Sequence, residues 1–220
     1  SQTGEEPTTQ APEGDKNKKN EPIDTPNIIY VQLESLFDPT WLKGLEFSED
    51  PMPNLRKLRE EYSSGYYSVP SFGAGTANTE FETMTGMNLD DFGPGEYPYK
   101  TILQKTACES IGYDLKKYGY KINALHDNKG NFYQRNTVFS RLGYDQFTSL
   151  EYIYDYEKNP TDWAKDDCLV DEITGMLKYS PEKDFIYCIS VQGHGKYPED
   201  TSDIDLKIKV TGNDVTGNPN

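Results

Sequence analysis

Three apolar stretches of this chain each stop at a polar residue able to hold a metal ion or a phosphate. Asn27-Ile-Ile-Tyr-Val-Gln-Leu33 runs into Glu34, Tyr120-Lys-Ile-Asn-Ala-Leu125 into His126, and Phe185-Ile-Tyr-Cys-Ile-Ser-Val191 into Gln192-Gly-His194. His126 and His194 are the only 2 histidines of the chain. Ligands of an α/β sheet bind outside the carboxyl ends of its strands, so these residues are expected to converge on one cleft.

Thr76 adds a hydroxyl. It follows the flexible turn Ser71-Phe-Gly-Ala-Gly75 and stands where a helix should begin, so free backbone N–H groups and the helix dipole would favour an anion such as phosphate. A metal can lower the pKa of such a hydroxyl and make it nucleophilic. An ordinary N-cap, with Glu80 complementing the positive helix end, would use the same residue. Glu34, at the end of a strand expected to be buried, needs a cation or donors, and a metal or an Arg partner would serve equally. Arg135, beside Tyr133, could clamp a phosphate bidentately, with His126 as donor and the aromatic ring against a small polyol. Either histidine could equally be a loop residue without a ligand. Taken together, Glu34, Thr76, His126, Arg135 and His194 suit metal-assisted phosphoryl chemistry, with carboxylate and hydroxyl oxygens for a hard divalent cation and imidazole acceptable to Mn²⁺.

The elements that must position these residues alternate. The apolar run 27–33 predicts a central parallel strand covered on both faces. Residues 53–62 carry an early proline and helical apolar spacing, and 76–86 reads as a short helix stopped by Gly86. A longer helix is expected over 99–118, ended by Gly119, then a strand from Tyr120. Residues 131–141 read as helix with Gly143 as terminator, and 166–179 as an amphipathic helix before the third strand. Strand, helices, strand, helices, strand predicts an α/β fold with a mainly parallel sheet. Residues 1–26 have almost nothing apolar and read as a flexible linker, 27–199 as the folded part, and 200–220 as a polar segment with one alternating piece over 204–210.

Among 220 residues, 37 are acidic and 22 basic, for a net charge of −15. Such a surface repels nucleic acid and anionic lipid at long range, so a lipid substrate would have to be gripped locally. The three cysteines, Cys108, Cys168 and Cys188, show neither zinc nor CxxC spacing, and Cys188 reads as core. No window approaches the ~20 apolar residues of a membrane-spanning helix.

At its chemistry-bearing residues the chain resembles the lipoteichoic acid synthases, phosphoglycerol transferases of the alkaline phosphatase and sulfatase superfamily. The resemblance spans about 27–197. It rests on Gln32-Leu-Glu-Ser35, Gly75-Thr-x3-Glu-Phe81, Phe132-Tyr-Gln-Arg-Asn136 leading to Leu142-Gly-Tyr-Asp-Gln-Phe147, and Ser190-Val-Gln-Gly-His194. It implies Glu34 as metal ligand and Thr76 as ligand and nucleophile, taking the phosphoglycerol of phosphatidylglycerol as a covalent ester and passing it to a growing glycerophosphate polymer. His126, Tyr133, Arg135 and His194 would hold the phosphoglycerol, with Mn²⁺ (or Mg²⁺) as cofactor. It also implies membrane anchoring through preceding helices, an extracellular catalytic domain, and a juxtamembrane linker over 1–25. The family's Trp beside the Arg is Tyr133 here, and its further Asp-His ligand pair on a later strand has no counterpart, so the metal site is expected to be incomplete. The Cys/Ser-x-Pro-x-Arg context of a sulfatase nucleophile is absent. A non-catalytic module binding glycerophosphate or polymer, and a phosphoethanolamine transferase, are the alternative readings.

Overall fold

The computed structural model describes residues 25–71, 73–195, 197, 202 and 204–212. Most of the expected 1–26 linker and much of the 200–220 segment therefore lie outside the described residues. Four parallel strands form the central sheet: β1 (Ile28–Leu33), β3 (Tyr120–His126), β4 (Gln146–Ser149) and β5 (Lys183–Ser190), in the order β1-β5-β3-β4. A separate antiparallel ribbon joins β2 (Leu45–Phe47) to β6 (Val210–Gly212). The alternation read from the sequence thus holds: an α/β fold with a mainly parallel sheet.

Alternating side chains of β3 and β5 face two different cores, as the two-residue period of a strand requires. On one face Ile122, Ala124, Phe185, Tyr187 and Ile189 pack with α2 (Thr76–Thr85) and α4 (Arg135–Arg141), through Ala77, Phe81, Met84, Val138 and Phe139. On the other, Leu125 and Cys188 meet Cys168 and Leu169 of α5 (Asp167–Tyr179). Cys188 is core, as expected.

Four expectations change. First, β1 is an edge strand, not a central one. It pairs with β5 on one side, no described strand pairs with the other, and Ile29, Val31 and Leu33 are 44–47 % exposed. An apolar run records that both faces can be buried, not that they are. Second, no long helix runs over 99–118. A 3-10 turn at Ile102–Gln104 is followed by α3 (Ile111–Lys116), because Ser110 accepts the N–H of Gly112 and starts a new helix. Third, regular helix over 131–141 begins only at Arg135, since Tyr133 and Gln134 hold left-handed φ of 52° and 55°. Fourth, the sheet has four strands where three were expected, because β4 is short and partly polar and its alternation is too brief to read.

The remaining helix, α1 (Pro53–Glu61), lies where its proline and spacing predict. Val210–Gly212, within the segment set apart as a polar tail, closes the ribbon with β2.

Candidate active site

Three of the four parallel strands, β1, β3 and β5, lead to Glu34, His126 and His194 at the carboxyl edge of the sheet. Glu34 leaves β1 and is 5 % exposed, and burial raises its carboxyl above the usual range, against the pull of Arg135 and Thr76. His194 leaves β5 in a turn closed by its N–H on the Val191 carbonyl at 2.9 Å. Gly193 makes that turn possible: a Cβ there would stand 3.1 Å from the Glu34 carbonyl oxygen, a distance few side chains tolerate.

Thr76 opens α2, but it is not the cap. Gly75 takes that position with φ 82° and ψ 34°, a left-handed geometry that costs a residue with a Cβ about 1 kcal/mol or more. Freed from capping, Thr76 Oγ1 donates to Glu34 Oε1 at 3.0 Å. His194 Nε2 lies 3.8 Å from the same oxygen. Glu34, Thr76, Tyr133 and His194 line one cavity of about 530 Å³, with Phe37 and the 73–75 turn on its rim.

His126 and Arg135 stand behind this wall, both 0 % exposed. Arg135 spends its fork on Glu80, donating Nε at 3.0 Å and Nη2 at 2.5 Å, so the fork expected to clamp phosphate is already engaged. Its Nη1 donates to His126 Nε2 at 3.0 Å. Arginine only donates, so His126 Nε2 must accept, and Nδ1 carries the proton to the Ile189 carbonyl at 2.9 Å. Burial, reinforced by Arg135, lowers the His126 pKa to about 3, in keeping with that neutral tautomer. His126 is therefore not a donor facing the cavity. It orients Arg135.

Tyr133 covers the pair. Its ring lies 5.1 Å from the Arg135 guanidinium carbon and stacks on Tyr97 with centroids 5.8 Å apart. The left-handed backbone at Tyr133 and Gln134 swings this ring over Arg135 before α4 begins. Such strain concentrates where a side chain must be aimed.

The structure therefore brings Glu34, Thr76, Tyr133 and His194 to the cavity and seats His126 and Arg135 beneath it. Three further contributions were not foreseen, one of them from Glu80, expected only to complement the helix end. Glu80, four positions after Thr76 in Gly75-Thr-x3-Glu80, is 0 % exposed and anchors Arg135, and its i,i+4 spacing is the signal that could have found it. Trp163, whose ring lies 4.9 Å from that of His194, left no trace in the sequence. Asp127, next to His126, is 1 % exposed with neither carboxyl oxygen meeting a donor. Burial, reinforced by the facing Asp166, pushes its pKa up to about 8.

A divalent cation suits these donors only in part. Glu34, Thr76 and His194 offer two kinds of oxygen and an imidazole nitrogen within 3.8 Å of one carboxylate oxygen, a mixture Mn²⁺ accepts. Among the described residues, no group of three or more His, Cys, Asp or Glu stands close enough to hold an ion. Among them too, no helix is long and apolar enough to cross a membrane.

Known proteins carry this arrangement further. The phosphoglycerol transferase GacH of Streptococcus pyogenes, solved with sn-glycerol-1-phosphate, superposes with a TM-score of 0.73 at 26 % identity, covering 87 % of this chain and 50 % of its own. A Rhizobium meliloti protein named for cyclic beta-1,2-glucan modification is 32 % identical over 172 residues, which are 78 % of this chain and 26 % of that protein. Lipoteichoic acid synthase 2 of Bacillus subtilis is 25 % identical over 195 residues, 87 % of this chain and 29 % of the synthase. The chain thus spans between a quarter and a third of the length of these two curated relatives. Residues 26–214 match the sulfatase family along most of the chain, and the family's superfamily is metal-dependent. With a parallel sheet whose carboxyl edge gathers a carboxylate, a helix-starting threonine and a histidine, the chain belongs to the sulfatase family of the alkaline phosphatase superfamily, which also includes phosphoglycerol transferases and a lipoteichoic acid synthase related to it.

Proposed function

We propose that this chain carries the catalytic threonine of a metal-assisted phosphoglycerol transferase. The enzyme would take glycerophosphate from phosphatidylglycerol and pass it to a cell-envelope polymer. The observation that carries the reading is the Thr76 hydroxyl at the start of α2, donating to the buried Glu34 carboxylate at 3.0 Å inside the cavity.

In this reading the donor phosphate rests against the free N–H groups of the first turn of α2, where the dipole favours negative charge. Thr76 Oγ1 attacks phosphorus, and the bond to the diacylglycerol oxygen breaks. Glu34 Oε1, which accepts the Thr76 hydroxyl at 3.0 Å, aims that oxygen at phosphorus, and the proton Thr76 releases ends on the leaving diacylglycerol oxygen. An acceptor hydroxyl then attacks the Thr76 ester, and its proton travels back to Thr76. Glu34 and Thr76 would also hold a divalent ion, Mn²⁺ or Mg²⁺, which supplies charge neutralisation on the phosphoryl oxygens and a lowered hydroxyl pKa.

Tyr133 and His194 hold the glycerol end. Arg135, beneath them, contributes its positive charge through the wall, and His126 fixes its plane. The catalytic face would stand outside the cell beside an anchoring membrane segment, since the donor is a lipid. Two named relatives support the chemistry: GacH, a phosphoglycerol transferase, and lipoteichoic acid synthase 2.

The test follows diacylglycerol release from labelled phosphatidylglycerol in the full-length protein with Mn²⁺. Release that stops in Thr76→Ala and on chelation is expected. Release that survives Thr76→Ala would overturn the mechanism.

A further inference from the structure

The ring of Tyr133, which lines the active-site cavity, is approached by two cations. The Arg135 guanidinium carbon lies 5.1 Å from its centroid and the Lys100 ammonium nitrogen 5.8 Å. Their surroundings differ. Arg135 is buried and neutralised by Glu80. Lys100 is exposed, and among the described residues no carboxylate pairs with it.

A well-tied turn holds the ammonium there. Residues 97–100 close with the Lys100 N–H on the Tyr97 carbonyl at 2.8 Å. Tyr97 stacks on Tyr133, and the Tyr99 hydroxyl donates to Glu80 at 3.1 Å, so the turn is fastened to the same ion pair that anchors Arg135. Tyr97 also borders the turn before the nucleophile: a Cβ on Gly75 would stand 3.8 Å from its Cε2. Lys100 Nζ lies 4.5 Å from the Tyr97 centroid, within the range at which an aromatic face attracts a cation.

That attraction offsets only part of the repulsion between two positive charges set against one ring. An anion beside Tyr133 would complete the balance. Among the described residues no lysine or arginine lines the cavity itself, and the Arg135 fork is spent on Glu80. The chain carries −15, which repels an anionic lipid or polymer at long range. A phosphodiester that enters beside Tyr133 therefore finds in Lys100 a positive group still able to engage it. The ammonium offers three donors on a flexible four-carbon stem, which suits a phosphate met as a point charge.

We propose that Lys100 is a specificity-determining residue of this site, gripping the phosphodiester anion of a glycerophosphate group beside Tyr133. The assignment deepens the transferase reading and rests on it. The phosphodiester belongs to the donor lipid or to a glycerophosphate acceptor, and Lys100 would recognise both by the same charge.

The experiment uses full-length protein with Mn²⁺ and has three arms. They are calorimetric titration with free sn-glycerol-1-phosphate, KM and kcat for diacylglycerol release from phosphatidylglycerol, and discharge of the Thr76 ester by a short glycerophosphate oligomer. Lys100→Gln is expected to weaken sn-glycerol-1-phosphate binding about threefold or more and to flatten its dependence on sodium chloride. Lys100→Arg should restore both to within about twofold. A matching rise in KM for the lipid assigns the grip to the donor, and slower discharge at unchanged lipid KM assigns it to the acceptor. Binding and salt dependence equal to wild type in Lys100→Gln would overturn the proposal. So would a loss shared by Lys100→Arg, or a lowered melting temperature with the salt dependence unmoved, since either marks a purely structural residue. Binding of sn-glycerol-1-phosphate needs no turnover, so the Lys100 assignment and the transferase reading can fail separately.

Discussion

Replacing Glu80 with Gln is expected to be among the most damaging single changes in the molecule, although Glu80 touches no substrate. Glu80 and Arg135 are both 0 % exposed, and the carboxylate receives two guanidinium N–H groups and the Tyr99 hydroxyl at 3.1 Å. Glutamine fills the same space and can still accept, but it leaves a permanent positive charge buried without its counter-ion. Breaking a buried pair from one side costs about 3–5 kcal/mol, a large share of the roughly 5–15 kcal/mol that holds a domain together. Urea unfolding of Glu80→Gln beside wild type measures the cost. The double variant Glu80→Leu/Arg135→Met removes both charges and is expected to recover most of the loss, since an apolar pair of similar volume is often neutral or better. It should not recover activity, because the charge behind Tyr133 is gone. A loss below about 1 kcal/mol in Glu80→Gln would refute the claim that this pair organises the site.

Asp127 gives a pH signature. Its folded pKa is pushed up to about 8 from an ordinary 3.8, so between those values the unfolded chain holds fewer protons than the folded one. Stability contributed by this group is therefore lost as pH rises from about 4 to about 8, and Asp127→Asn should raise the melting temperature at pH 8 while changing little at pH 4. The gain at pH 8 should be on the order of 2 kcal/mol in denaturant titration, the cost of a buried group without a donor. Gly75→Ala should lose about 1 kcal/mol or more, because the left-handed φ of 82° is unfavourable for alanine and the new Cβ would meet Ser71 Oγ at 3.3 Å. Thermal unfolding at equal pH decides it. Gly193→Ala should reduce turnover more than stability, since its Cβ would press on the Glu34 carbonyl at 3.1 Å and shift the His194 turn, which a comparison of kcat with melting temperature would detect.

Much of the site was legible because its residues sit where periodicity changes. Glu34, His126 and His194 follow apolar runs, and Thr76 follows a glycine turn, so strand ends and a helix start announced them. What those side chains do once there was not legible. The tautomer of His126 depends on the Ile189 carbonyl of a neighbouring strand 63 residues away, and the engagement of Arg135 on Glu80 spans 55 residues. Local sequence carries no record of such long-range pairings. The helix expected over 99–118 failed for a related reason: its apolar spacing continued across Ser110, but that serine caps a new helix and its hydroxyl donates to the Leu142 carbonyl at 2.5 Å. Position in the sheet was also hidden. The β1 sequence is apolar on both faces, yet its place in the order β1-β5-β3-β4 follows from strand pairing, which periodicity does not encode.

The central claim is that Thr76 forms a covalent phospho-ester. The most direct measurement is mass spectrometry of the protein after brief exposure to phosphatidylglycerol and Mn²⁺ without acceptor, followed by acid quench and peptide mapping. The account predicts a glycerophosphoryl group on the peptide containing Thr76, absent in Thr76→Ala and discharged when acceptor is added. Diacylglycerol release with no adduct on that peptide, or an adduct on another residue, would contradict it.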